Sequence, residues 1–185
     1  DRLIITVAGD FEPADVRRRL EQAFGSWPRA AGPAPVASAA ARDQGRRVLL
    51  VDKPGATQTY FWLGNVGASR TDPERTAQGV VNTVFGGRFT SMLNTELRIK
   101  SGLTYGARSA FDRLAQPGAF NITSFTATES TVPALDLALA TLDRLHRDGL
   151  DDAALASAKT YMLGQFPPTL ETNGALAGRL ADMLL

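Results

Sequence analysis

The sequence predicts an α+β fold with a mixed or antiparallel sheet, and three observations carry that prediction. Strand-like runs gather in the middle of the chain while helix-like periodicity dominates the last third, so strands and helices are segregated rather than alternating. The runs "LTYGARSAFDRL" and "GAFNITSFTATES" are joined by the turn "AQPG", the pattern of an antiparallel hairpin. No Gly-rich turn follows a strand and opens a helix, as a doubly wound nucleotide-binding unit requires.

Taken in order, "LIITVAGD" is a short apolar run rich in Ile, Val and Thr and reads as a strand. Pro13 then stands where a first helical turn begins, and Val16, Leu20, Ala23 and Phe24 fall on one face of a helix over Pro13 to Phe24, which "GSWP" ends. From Arg29 to Gln44 the chain is mostly Ala, Pro and Gly with little to bury, the composition of a linker, and a domain boundary is expected there. "RRVLLVDKPG" and "TQTYFWLGNVG" read as two strands around a Pro-Gly turn, the second expected to set Tyr60, Trp62 and Asn65 against Phe61 and Leu63. With the hairpin they suggest a sheet of four or more strands.

Asp72-Pro73-Glu74 predicts the start of a helix running to Phe85, with Asp72 as N-cap and Pro73 at the first position, and Gly86-Gly87 as its stop. A short helix over Phe89 to Lys100 follows, stopped by Ser101-Gly102. Three helices close the chain, over about Val132 to Arg147, Asp151 to Gln165 and Thr172 to the end, separated by "DGLD" and "FPPTLET".

With 185 residues, the chain has room for one large domain, or one domain and part of another. Hydrophobic residues make up 44% and charged ones 21%, an ordinary globular balance. A formal charge of +1 is too small for the sequence-independent phosphate grip of a nucleic-acid binder. No run approaches the ~20 apolar residues of a membrane span. The chain begins inside a strand-like run without an initiator Met and ends inside an amphipathic helix, so it is expected to be a piece of a longer protein, truncated at the C-terminus.

Cysteine is absent, which excludes disulfides, thiolate metal sites and a cysteine nucleophile. The single histidine, His146, sits beside Arg144 and Arg147 near a helix end, where its expected role is electrostatic. One histidine and no zinc-binding motif leave this chain without the ligands of a catalytic zinc. Ser91, Ser101 and Ser109 lie in no nucleophile elbow, and Glu96, Asp112, Glu129 and Glu171 have no spacing that assigns them catalysis. No catalytic residue is expected in this chain.

Arg98 and Tyr105 carry the most chemistry. One ends the short helix, the other begins the next strand, and Gly102 reverses the chain between them. An arginine fork and a phenol are suitable donors for a peptide carbonyl, a carboxylate or an oxyanion. The structural alternative is that Arg98 caps its own helix and Tyr105 packs under it.

The stretch Gly86-Gly87, Leu97-Arg98, Gly102-Leu103-Thr104-Tyr105, continued by "YGARSAF", resembles the carboxyl-terminal domain of the pitrilysin/insulinase family of zinc metallopeptidases. "VAGDFEPADVRRRLEQAFGSWP" resembles the strand and helix that close the preceding family domain, and "AKTYMLGQFPPTLET" a late helix and its loop. The resemblance implies an α+β sandwich, a mostly antiparallel sheet with helices packed on one face, in three parts: residues 1–28 as the end of a preceding domain, 29–45 as linker, and 46–185 as the carboxyl-terminal domain. It also implies that Arg98 and Tyr105 bind substrate peptide, that zinc is supplied by another domain or subunit, and that this chain alone is inactive. A homo- or heterodimer and a bacterial periplasmic or envelope location are expected on the same ground. A Glu often follows the family's arginine; Ile99 stands here, which puts that local pairing in doubt. The other class of function within the same fold is a noncatalytic scaffold or assembly subunit.

Overall fold

A computed structural model of the chain describes residues 3–33, 36 and 45–184. They divide into two compact units, Asp1–Val36 with Leu163–Leu185, and Ala37–Met162. Residues 34, 35 and 37–44, most of the expected linker, lie outside the described residues.

In the first unit, helix α1 spans Pro13–Phe24, as the apolar spacing predicts, and Gly25 closes it by donating to Glu21 O. The run expected as a strand at residues 3–8 is instead irregular, with Leu3, Ile4, Ile5 and Val7 each more than 40% exposed. A strand is completed by a ladder partner, and none pairs with this run among the described residues. Its recorded anchor is the Thr6 hydroxyl, which donates to Ala177 O at 2.7 Å.

In the second unit, three strands form an antiparallel sheet in the order β1-β3-β2, with β1 at Gln58–Val66, β2 at Ala107–Arg113 and β3 at Pro117–Ala127. The expected strand before the Pro-Gly turn does not form: Val48, Leu49, Leu50 and Val51 are 78–92% exposed and unpaired, which leaves three strands among the described residues rather than four or more. The turn itself is present, with Gly55 at φ +77°.

The register commits each strand residue to one face. Phe61, Leu63, Ile122, Ser124, Ala107 and Ser109 face inward, with Phe61 opposite Ser124, Leu63 opposite Ile122, and Ala107 and Ser109 opposite the same two residues of β3. Helix α2 (Arg75–Phe85), a short α-helical turn α3 (Met92–Asn94), a π-helical segment (Thr95–Lys100) and helix α4 (Thr131–Asp148) supply the other half of the core. Its centre is Phe85, Leu93, Leu97, Ile122, Ala134 and Ala138, all at most 2% exposed. Helix α5 (Asp152–Gln165) and helix α6 (Asn173–Leu184) complete the chain within a residue or two of the expected limits.

Two starts differ from expectation. Asp72 Oδ1 accepts from Glu74 N at 2.8 Å, so the turn around Pro73 precedes α2, which begins at Arg75. The helix expected from Phe89 begins at Met92, where the Ser91 hydroxyl accepts from Asn94 N, and soon widens into π geometry, with Ser101 N donating to Glu96 O five residues back.

The glycine pair after α2 is explained by close approach. Gly86 N and Gly87 N both donate to Asn82 O, ending the helix, while Gly86 O accepts from Ser109 N at 3.1 Å along the outer edge of β2. A Cβ on Gly86 would overlap the backbone nitrogen and hydroxyl of Ser109. Gly86→Ala is therefore expected to cost about 1–3 kcal/mol through overpacking, read from the denaturant midpoint. Leu97, with 0% exposure, should cost about 2–5 kcal/mol as Leu97→Ala by the same measurement.

Candidate functional site

Arg98 and Tyr105 come from consecutive elements, and their backbones are fixed from two sides. The π segment buries Leu97 in the core and leaves the next side chain, Arg98, half-buried. Its closing carbonyls are already used: Leu97 O accepts from the Ser101 hydroxyl at 2.9 Å and from Thr104 N at 3.2 Å, and Arg98 O accepts from Gly102 N at 3.2 Å. Arg98 is thus not required as a helix cap. Its guanidinium lies over the Phe89 ring, 4.9 Å from the centroid, and among the described residues it has no ion pair.

Gly102, at φ +66°, makes the reversal that a side chain would resist. The loop after it is pinned to β3 by hydroxyls. Thr126 Oγ1 donates to Leu103 O at 2.6 Å, and Ser124 Oγ lies 3.1 Å from Thr104 Oγ1 and 2.9 Å from Gly106 O. Thr104 is buried, and Tyr105 beside it is turned out, 78% exposed, instead of packing under the arginine. Asn94, 4% exposed, completes the brace: its amide donates to Phe89 O at 2.7 Å and its carbonyl accepts from Ala107 N at 3.3 Å. The Phe89 seat of Arg98 and the start of β2 are thereby tied to one buried side chain.

The structure brings Arg98 and Tyr105 into the wall of one open cleft of about 580 Å³, with Thr57, Gln58, Phe125 and Ala127 also lining it. A larger groove of about 690 Å³ runs across the outward face of the sheet and shares Arg98. Its floor follows from the register: Trp62, Thr123 and Arg108 form one row across the three strands, and Tyr60 stacks on Phe125 at 5.2 Å. Arg88, Phe89 and Tyr161 form part of its rim. The alternation of β1 placed Tyr60 and Trp62 on one face in the sequence, but nothing local announced that Arg88 and Arg108 would share it.

The remaining titratable residues stand apart. His146 is exposed on the last turn of α4 and lines neither cleft. Glu96 is structural: its Oε1 accepts from Lys100 Nζ and from Arg144 NH2, each at 2.9 Å, joining the π segment to α4. These bonds, Lys100 first, hold its carboxyl below the usual carboxylate range against the opposing effect of burial. Ile99 is 57% exposed. Among the described residues no group of three or more His, Cys, Asp or Glu side chains gathers to share a metal ion. No helix among them is long and apolar enough to cross a membrane.

An antiparallel sheet with helices packed behind it gives the α+β class, and comparison with known proteins gives the family. The family described as the Peptidase M16 inactive domain matches residues 1–162, so the chain belongs to the M16, or pitrilysin/insulinase, family. An uncharacterized zinc protease of Streptomyces coelicolor is 32% identical over 183 residues, covering 96% of this chain and 40% of the relative. A second such zinc protease, from Bacillus subtilis, is 26% identical over 179 residues, covering 97% of this chain and 42% of the relative. The chain thus spans about two-fifths of their length. A Peptidase M16 inactive domain from Pseudomonas fluorescens superposes with a TM-score of 0.64 at 30% identity, over 69% of this chain and 31% of that one. A protease from Helicobacter pylori gives 0.79 at 22% identity, over 96% of this chain and 44% of that one, a likeness of fold.

Because the carboxyl of Glu96 is held below its ordinary value, its contribution to stability is complete above the unfolded-state value, ~4.3, and is lost as pH falls through the lower folded-state value. Glu96→Gln should lower stability at neutral pH by about 1 kcal/mol or less, since Lys100 and Arg144 are 62% and 38% exposed. The difference from the parent should close on acidification, as followed by thermal melts across pH.

Proposed function

We propose that this chain is the peptide-holding part of an M16 zinc metallopeptidase, with zinc carried by a complementing domain or subunit. The observation that carries this reading is that Arg98 and Tyr105, from different elements, line one cleft with donors that the fold does not consume. Arg98 is steadied by a ring rather than by a carboxylate, so its five N–H groups remain for a carbonyl or carboxylate of the bound chain. Tyr105 presents its hydroxyl from a loop whose backbone is already bonded to β3, which limits the ordering cost of a new hydrogen bond. Together they orient a peptide for a reaction whose metal chemistry is supplied elsewhere, a contribution of positioning.

In the assembly with its zinc-bearing complement, Arg98→Ala and Tyr105→Phe should each lower peptide turnover by roughly 5- to 100-fold, the worth of one hydrogen bond, charge-assisted for the arginine. Zinc content and melting temperature should stay close to the parent values. Peptide hydrolysis is expected from the mixture and not from this chain alone. Unchanged turnover in both variants would overturn the holding role and leave the noncatalytic scaffold, a reading with which the family description of an inactive domain is equally compatible.

A further inference from the structure

We propose that the groove across the outward sheet face selects acidic peptide segments, with substrate carboxylates docking on Arg88, Arg98 and Arg108 and apolar side chains lying on Tyr60, Trp62 and Phe125. This rests on the peptide-holding reading and names its substrate class.

Charge sets this groove apart. Among the described residues, three guanidiniums line this groove and no Asp or Glu does, although the chain as a whole carries almost equal numbers of each sign. Four cations elsewhere pair with carboxylates: Arg18 with Asp15, Lys100 and Arg144 with Glu96, and Arg147 with Asp148. The groove arginines contact neutral groups instead. Arg108 Nε donates to Thr123 Oγ1 at 3.2 Å, Arg98 rests on Phe89, and Arg88 NH1 donates to Ser157 Oγ at 2.9 Å. Arg88 also carries a buried Nε with no partner and lies 5.9 Å from the Tyr161 ring centroid. Three like charges beside one cavity repel, and a bound carboxylate relieves that repulsion while forming charge-assisted hydrogen bonds.

The groove also exposes large apolar surface. Tyr60 and Trp62 are 70% and 73% exposed on a sheet face, where each occupies an alternate position of β1. An extended peptide laid along this face presents alternate side chains to it, so acidic and apolar residues can meet arginine and aromatic positions in turn. The same combination suits a stacked single-stranded nucleic acid, but a chain of net charge +1 lacks the surrounding basic field that such binding uses.

The test reads binding apart from hydrolysis. Labelled peptides of one length, with Glu, Gln or Lys at alternate positions and either free or amidated C-termini, are titrated by fluorescence anisotropy against the full assembly in the presence of a zinc chelator. The Glu peptide should bind roughly tenfold or more tighter than the Gln peptide, with the Lys peptide weakest, and the gap should narrow at high salt. Arg88→Gln and Arg108→Gln should each reduce the Glu-to-Gln ratio severalfold, whereas Lys159→Gln, an equal loss of charge outside the groove, should move it by less than about twofold.

Equal affinity for Glu and Gln peptides overturns the proposal. So does a preference that follows the free C-terminus rather than the side chains, or tighter binding of a single-stranded oligonucleotide that displaces the peptide. The two readings fail separately: this one is judged by a ratio between peptides, and the holding role of Arg98 and Tyr105 by turnover of any one peptide.

Discussion

β3 is hydrogen-bonded on both sides, so each of its residues is committed to one of two faces, and the rest of the second unit is arranged around that commitment. Its inward side supplies Ile122 to the core and the hydroxyls of Ser124 and Thr126 to the loop before β2. Its outward side supplies Thr123 and Phe125 to the floor of the groove. A slip of one residue would exchange the two sets, placing hydroxyl-bonding positions outside and aromatic floor inside. The same strand therefore specifies both the packing of the helices and the surface available to a peptide.

The polar residues beneath the cleft follow from this arrangement. Thr104, Ser124, Thr126, Asn94 and Ser109 are all buried, which would be costly without partners, and each has one. Their bonds run between elements that packing alone would leave free to slide: the loop at Gly102 against β3, the Phe89 turn against β2, and Asn82 of α2 against Ser109. Such a network fixes backbone rather than adding much net stability. As a result Arg98, resting on Phe89, and Tyr105, turned outward, project from braced backbone.

Helices were the most legible part of the sequence because their signals are local. Pro13, the apolar stripe from Val16 to Phe24 and the following glycine bounded α1, and similar punctuation bounded the last three helices. Strands were legible where a ladder partner is present among the described residues. The hairpin of β2 and β3 carried its own turn and register, whereas Leu3–Val7 and Val48–Val51 have equally suitable composition and no ladder among the described residues. Strand propensity is largely a measure of a half-buried pleated environment, and composition cannot supply the second strand. The π geometry over Thr95–Lys100 was also invisible, since an extra residue in a turn leaves apolar spacing almost unaltered.

The sequence by itself determined the α+β class, the limits of the first and the last three helices and the family resemblance, all of which rest on local signals along one chain. Tertiary structure alone decided that Arg98 sits on Phe89, that Tyr105 faces outward, that Gly86 must lack a side chain, and that Arg88 and Arg108 join Arg98 around an aromatic floor. Those facts depend on which strands pair and in what register, a choice made by burial and backbone hydrogen bonding between distant segments. Local sequence can propose such a choice, but only the packed chain makes it.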